Sequence, residues 1–134
     1  MKLAVIVMAL VTGLSAQEQP KKVTAVDPDR VRLEVSLDPA SIIVDVRMKF
    51  EYRSGHIEKA VNLPKRKELD RFIAATPKHR PLYVYCQTET RARQAAELLN
   101  EAGFENVFII EGGIQKWKAY NLPVVKRKSL PEQL

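Results

Sequence analysis

The sequence predicts a single α/β domain built on a mainly parallel sheet. The chain has 134 residues, of which 46% are hydrophobic and 28% charged, the balance of an ordinary globular domain. Short apolar runs alternate along it with segments of helical periodicity. Such alternation places a helix between successive strands, which then run parallel.

The first sixteen residues have the layout of a secretory signal peptide. Met1 and Lys2 give a positive start, residues 3–14 are mostly apolar, and the small residues Ser15 and Ala16 precede a polar segment. The apolar run spans only about 18 Å as a helix, short of the roughly 30 Å hydrocarbon layer of a membrane. We therefore expect cleavage after Ala16, no stable membrane anchor, and an exported protein, periplasmic in a Gram-negative bacterium.

Residues 17–26 are expected to be a lead-in segment and residues 27–134 the folded domain. Residues 17–22 are polar, and residues 23–26 fit a short edge strand. Asp27 and Pro28 begin the first helix, since Asp caps helices and Pro suits their first position.

In this first helix Val31, Val35 and Leu37 are expected to face inward, and Asp38 with Pro39 ends it. The remaining strands are predicted at residues 41–46, 60–63, 81–85 and 107–110, and the remaining helices at residues 65–75, at residues 91–102 and after Gly113. Phe104 and Trp117 are expected in the core.

Composition and charge exclude several other classes of protein. One cysteine, Cys86, cannot form an intramolecular disulfide, and the two histidines, His56 and His79, leave too few ligands for a zinc cluster. We expect no metal and no cofactor. The net charge is +6, but the basic triplets at residues 65–67 and 126–128 lack interleaved aromatics, so we expect solvated surfaces and no nucleic-acid partner.

The predicted reactive group is Cys86, which directly follows the strand at residues 81–85. Parallel α/β sheets place reactive groups at the carboxyl ends of their strands. Here the connection to the next helix consists of Gln87, Thr88, Glu89, Thr90 and Arg91. Its amides and the helix N-terminus are expected to point toward the sulfur and to favour an anion.

Making Cys86 a nucleophile requires stabilisation of its thiolate. A free thiol is only about 3% ionised at pH 7, and lowering a pKa by two units takes about 2.7 kcal/mol. A helix dipole supplies about 0.3–1 kcal/mol, so loop amides and Arg91 must contribute the rest. The alternative is that Cys86 is a buried small hydrophobe, as most lone cysteines are.

Two stretches of the sequence resemble the rhodanese-domain pattern. In residues 41–64 an aliphatic run is followed by Asp45-Val46-Arg47 and by Gly55-His56-Ile57, and Asn62 and Pro64 follow at the family's spacing. Cys86 through Arg91 and Glu111-Gly112-Gly113 are similar to its second half. The match covers residues 27–123 and implies a three-layer fold with a five-stranded parallel sheet.

The resemblance implies a sulfurtransferase that uses a small sulfur-containing anion or a thiol as its substrate. Cys86 would take a sulfane sulfur from thiosulfate or a persulfide and pass it to a thiol or cyanide, in two half-reactions. Residues 87–91 would cradle the anion with their backbone amides. The sequence carries no pattern that sets an oligomeric state.

The loop departs from the pattern common among thiosulfate-using members. Gln87 stands where an arginine is common, Glu89 where a glycine is common, and Ala92 where a serine is common. A carboxylate 5 Å from the sulfur would oppose the thiolate by about 3 kcal/mol at an effective dielectric of 20, but by less than about 1 kcal/mol in water. Glu89 must therefore face outward if Cys86 is active.

Two other functions stay open at this point. One is a non-catalytic rhodanese-like binding module, in which Cys86 is silent, that is, takes no part in any reaction. The other is a phosphatase or arsenate reductase, although those enzymes resemble C-x5-R and this loop is one residue shorter.

Three further residues have two interpretations each. Asp45 and Arg47 border the active-site mouth or, as we favour, form a structural salt bridge. His56 is expected to hold a turn rather than to act as a base.

Overall fold

The computed structural model describes residue 13 and residues 21–126. The predicted signal peptide, apart from Gly13, and most of the second basic triplet lie outside these described residues. Within the described part of the chain, no helix combines the length and the apolar character needed to cross a membrane.

The sheet has five strands in the order β1-β5-β4-β2-β3, and every neighbouring pair is parallel. The strands are β1 Thr24–Val26, β2 Ile42–Asp45, β3 Val61–Asn62, β4 Leu82–Tyr85 and β5 Val107–Ile110. The predicted fold class, an α/β domain with a five-stranded parallel sheet, is confirmed. The edge strand predicted at residues 23–26 is present as β1, and its pairing with β5 joins the lead-in segment to the sheet.

Five helices connect and flank these strands. They are α1 Pro28–Leu37, α2 Lys49–Ser54, α3 Arg66–Ala75, α4 Thr90–Glu101 and α5 Gly113–Ala119. As predicted, the Asp27 carboxylate caps α1 by accepting from the Asp29 amide at 3.1 Å, and Pro28 opens the helix. The sequence did not predict α2, which is short and begins where the Glu51 carboxylate accepts from the Met48 amide at 2.8 Å.

The two faces of the sheet pack against different helices. Along β4, Leu82 and Val84 face the cluster that contains α3 and α4 residues, whereas Tyr83 and Tyr85 face the cluster from α1 and α5. The result is three layers, with Phe104 in the first cluster and Trp117 in the second, both core residues as expected. Cys86 continues the alternation of Leu82 and Val84 and therefore lies on the α4 face.

The prediction that Leu37 of α1 faces the core is wrong. Val31 is buried and Val35 is partly buried against the α1 and α5 cluster, but Leu37 is 74% exposed. Val31 and Val35 lie one turn apart on the same face, whereas Leu37 is two residues further along and points to another side. The helix ends at Leu37, as predicted from Asp38 and Pro39.

Candidate active site

Cys86 lies at the carboxyl edge of the central strand, directly after β4 and four residues before α4. It is 2% exposed, and its neighbours in the core include Val46 and Ala92. This is the position predicted from the sequence. The sulfur is enclosed by the protein rather than displayed on its surface.

The carbonyl groups of the loop are fixed to the start of α5. The amides of Ile114 and Gln115 donate to the carbonyl oxygens of Cys86 at 3.0 Å and Gln87 at 3.2 Å. A Cβ atom on Gly113 would collide with the carbonyl oxygens of residues 86, 87 and 88. Gly113 also has a φ of 59°, so glycine is required there for both conformation and space.

The amides of the loop face the opposite side. In a trans peptide the N–H points away from the C=O, and the described chain contains no cis peptide bond. Since three consecutive carbonyls converge on Gly113, the amides of Gln87, Thr88 and Glu89 point away from α5. Among the described residues, none of the amides of residues 87–91 has a protein acceptor. Consecutive open amides of this kind form an anion-binding concavity.

Glu89 is turned to the α5 side of the loop. Its carboxylate accepts from the Gly112 amide at 3.2 Å and from the Arg93 guanidinium at 3.1 Å. Two donors therefore hold this negative charge on the side opposite the open amides. The carboxylate is thus 35% exposed and paired, rather than directed freely into water as the sequence required of an active site.

Arg91 is held by a carboxylate that the sequence did not single out. Its two terminal nitrogens donate to the two oxygens of Glu51 at 3.0 and 3.2 Å, which joins α4 to α2. The hydrogen bond from Arg91 is the main cause that lowers the pKa of Glu51. The bond to Glu51 likewise raises the pKa of Arg91, and the nearby Cys86 raises it further. The charge of Arg91 is thus engaged by Glu51 in a two-bond ion pair.

Gln87, Thr88 and Thr90 have exposed side chains around the loop. Gln87 brings no charge to the loop where an arginine is common. The two charged residues of the loop, Glu89 and Arg91, are both in ion pairs.

Asp45 and Arg47 form a buried ion pair beneath the site, the structural role favoured from the sequence. Arg47 donates to Asp45 at 2.8 Å and to the carbonyl oxygen of Gly55, which ends α2, at 2.7 Å. Asn62 donates to the carbonyl oxygens of both residues, which fixes β3 to the end of β2. Neither charge is on the surface of the mouth, since both residues are buried.

His56 also has the structural role that was expected. Its Nδ1 lies 2.7 Å from the carbonyl oxygen of Tyr52, and its ring stacks on that of Tyr52 at 3.7 Å. Its backbone pairs with Val125. These contacts hold the turn after α2. Among the described residues, no cluster of three or more His, Cys, Asp or Glu side chains could hold a metal ion.

A cleft opens between α3 and α4 beside the loop, and no pattern in the sequence indicated it. Its volume is about 230 Å³. Arg91 from the loop forms part of its wall. Sequence reasoning therefore missed Glu51, the contact of Gly113 with the loop, and the cleft residues other than Arg91. Of these, only the Gly112-Gly113 pair carried a signal, as a required tight turn before a helix.

Together these features define an α/β domain whose cysteine ends the central strand of a parallel sheet and begins a loop of open amides. The family model for the rhodanese-like domain matches residues 28–120. The chain belongs to the rhodanese-like domain family, as the resemblance in its sequence predicted.

Similar proteins include both solved structures and curated relatives. The Alr3790 protein from Anabaena has a crystal structure that is 34% identical, with a TM-score of 0.71, and the match covers 77% of this chain and 82% of that one. The thiosulfate sulfurtransferase GlpE of Shewanella oneidensis is 37% identical over 79 residues, which are 59% of this chain and 77% of GlpE.

A third relative is much longer than this chain. The tRNA uridine(34) hydroxylase of Pelagibacter ubique is 28% identical over 120 residues, which are 88% of this chain but 38% of the hydroxylase. The chain spans about half or less of the length, 51% and 38%, of two of the curated relatives it matches.

Proposed function

We propose that this protein is a sulfurtransferase that carries a sulfane sulfur as a persulfide on Cys86. In the first half-reaction the Cys86 thiolate attacks the outer sulfur of a donor such as thiosulfate. The S–S bond of the donor breaks, and sulfite leaves with the bonding electron pair. In the second, a thiolate or cyanide attacks the outer persulfide sulfur and releases the Cys86 thiolate, so atoms and charges balance without a cofactor.

The observation that carries the proposal is the orientation of the loop peptides. Three carbonyls face Gly113, so the next amides are directed to the other side of the loop and have no protein acceptor among the described residues. Preorganised amides stabilise a thiolate or a persulfide anion without reorganising during the reaction. Because Glu51 compensates Arg91, these amides are the main source of anion stabilisation in the proposed mechanism.

The relatives support the same chemistry. GlpE, which is 37% identical over the matched region, is a thiosulfate sulfurtransferase by name. The hydroxylase relative shares the matched region, but 62% of its length lies outside that region. We therefore do not propose its reaction for this chain.

Intact-mass measurement tests the proposal directly. Purified protein is incubated with thiosulfate, with benzenethiosulfonate or with glutathione persulfide, and we expect a mass gain of one sulfur atom that cyanide removes as thiocyanate. Since Cys86 is the chain's one cysteine, Cys86→Ser must abolish the gain. Absence of the gain with all three donors, in protein whose thiol is reduced and titratable, would overturn the proposal.

A binding module with a silent cysteine is the second candidate, and one observation favours it. Cys86 is enclosed in the core cluster, and the one cationic side chain of its loop is neutralised by a carboxylate. Alkylation of Cys86 at mildly acidic pH separates the two functions. Alkylation much faster than that of a free thiol indicates an activated thiolate, whereas slow alkylation in the native protein and rapid alkylation in urea indicates a silent, buried cysteine.

Export is part of the proposal. Residues 1–16 carry the pattern of a signal peptide, and cleavage after Ala16 leaves the whole described sheet intact. The mass of protein recovered from the exported fraction of the source cells gives the cleavage point. Recovery of only the full-length chain, and only from the cytoplasm, would contradict export.

A further inference from the structure

The cleft between α3 and α4 has mainly apolar walls. Its apolar lining comes from the ends of β2 and β3 and from the facing sides of the two helices: Val46, Leu63, Pro64, Leu69, Ala95 and Leu98. The volume, about 230 Å³, accommodates a small organic group. An apolar group gains from burial against such walls, whereas an inorganic dianion finds partners only in the polar and charged part of the lining, such as Lys65 and Gln94.

The cleft adjoins the proposed reaction centre. Val46 lines it, and the Val46 amide donates at 3.0 Å to the carbonyl oxygen of Tyr85, the residue before Cys86. Arg91, the last residue of the loop that begins at Cys86, lines it too. The carboxyl ends of β4, β2 and β3 lie side by side at this edge, so the cleft lies beside the end of the strand that carries Cys86, although Cys86 itself does not line it.

Three cations stand in the wall of the cleft, and they are not equivalent. Arg91 is paired with Glu51, and Arg66 is paired with Asp70 at 2.8 Å. No ion pair among the described residues involves Lys65, whose side chain is exposed at the start of α3. Lys65 is therefore the cation that remains available to an incoming anion.

We propose that this cleft binds the organic group of the sulfur donor, so that the preferred donor class is an organic sulfane-sulfur anion, such as a thiosulfonate, rather than thiosulfate. This inference rests on the proposed function and specifies its substrate. The apolar group of the donor lies between Leu69 and Leu98, and Lys65 attracts its negative charge. The Cys86 thiolate attacks the outer sulfur, the S–S bond breaks, and the organic sulfinate leaves with the bonding pair.

The test compares benzenethiosulfonate, methanethiosulfonate and thiosulfate as donors with cyanide as the acceptor. Each kcat/KM is divided by the rate of the same donor with a small thiol in solution, which removes differences in intrinsic reactivity. We expect the phenyl donor to exceed the methyl donor by about tenfold or more, since hydrophobic pockets discriminate by such factors, and to exceed thiosulfate as well.

Two variants assign this preference to the cleft. Leu98→Ala shortens the apolar wall, so the ratio of phenyl to methyl kcat/KM falls toward one; a ratio within one variant does not depend on how much of it is folded. Lys65→Gln lowers kcat/KM for the anionic donors by about two- to fivefold, the effect of an exposed charge. Lys67→Gln, an exposed lysine outside the cleft, is the matched control and leaves kcat/KM unchanged.

The outcomes separate this inference from the proposed function. A normalised preference for thiosulfate, or a phenyl-to-methyl ratio that Leu98→Ala leaves unchanged, overturns the inference while Cys86 still acquires sulfur. No transfer from any of the three donors removes the proposed function and the inference with it.

Discussion

The loop of residues 86–91 is held very differently on its two sides. On the α5 side, backbone hydrogen bonds from Ile114 and Gln115 and the close approach of Gly113 fix it. On the α2 side, the contact is one ion pair between Glu51 and Arg91, whose side chain is 42% exposed. Backbone contacts set the geometry of the site, and a side-chain pair open to solvent sets its charge. Substitutions on the α5 side should therefore disrupt the loop. Substitutions in the Glu51–Arg91 pair should leave the fold intact and change activity.

The buried ion pair beneath the α2 side gives the largest expected effect. Asp45→Asn leaves the Arg47 charge buried without its partner, which we expect to lower the free energy of unfolding by about 3–5 kcal/mol. Urea unfolding measures this loss. Glu51→Gln removes the exposed pair and is the matched control, with an expected loss below about 1 kcal/mol. Equal losses in the two variants would contradict this view of the α2 side.

Gly113→Ala should disrupt the contact between α5 and the loop of residues 86–91. Its Cβ would collide with three carbonyl oxygens, which displaces the loop, and misplacement by about 1 Å costs roughly 10²-fold in rate. Gly112→Ala is the control, because Gly112 also has a positive φ but its Cβ meets the Lys116 side chain instead of the loop. The rate of persulfide formation on Cys86 is measured in both. If Gly112→Ala is as slow as Gly113→Ala, strain in the turn rather than collision with the loop is responsible.

Glu51→Gln should change activity more than stability. It frees the Arg91 charge close to Cys86, while a glutamine oxygen still accepts from the Met48 amide at the start of α2. We expect the KM for an anionic donor to fall by about two- to fivefold, the factor set by an exposed charge pair. Steady-state kinetics measures it. Arg91→Gln should move KM in the opposite direction, and a rise in KM for Glu51→Gln would show that the pair itself binds the donor.

The smallest effect concerns pH. Since the bond from Arg91 lowers the pKa of Glu51, the pair stabilises the fold at pH values above the ordinary carboxyl pKa. This contribution is lost as pH falls through the lowered pKa, where Glu51 takes up a proton. The unfolding free energies of wild-type protein and Glu51→Gln should therefore differ by less than about 1 kcal/mol at neutral pH and converge in acid. A difference that grows in acid would contradict this assignment.

The sequence predicted the layers of the fold well because each strand is a short apolar run with a clear boundary. Residues 43–44 and 82–85 are buried, and this appears directly as short apolar runs in the sequence. Helix α2 escaped prediction because its six residues have no apolar periodicity, and none of them is buried. Leu37 was wrongly predicted to face the core because it is apolar and lies at the end of α1. Its position around the helix axis, which differs from that of Val31 and Val35, places it in solvent.

In the site, the sequence could predict features that are local along the chain but not contacts between distant segments. Cys86 directly follows a buried strand and precedes a helix, so its position was predictable. The partner of Arg91 lies forty residues earlier, and nothing local connects the two. Gly113 is similarly distant, and its role depends on the packing of α5 against the loop.

The enclosure of the thiol also limits which oxidation products this protein can form. A disulfide requires two β-carbons about 3.8 Å apart. Cys86 is 2% exposed, so two folded molecules would have to interpenetrate to bring their sulfurs to that separation. Small linear oxidants and low-molecular-weight thiols are not excluded in this way, so chemical damage at this position should take the form of adducts on one chain rather than covalent dimers.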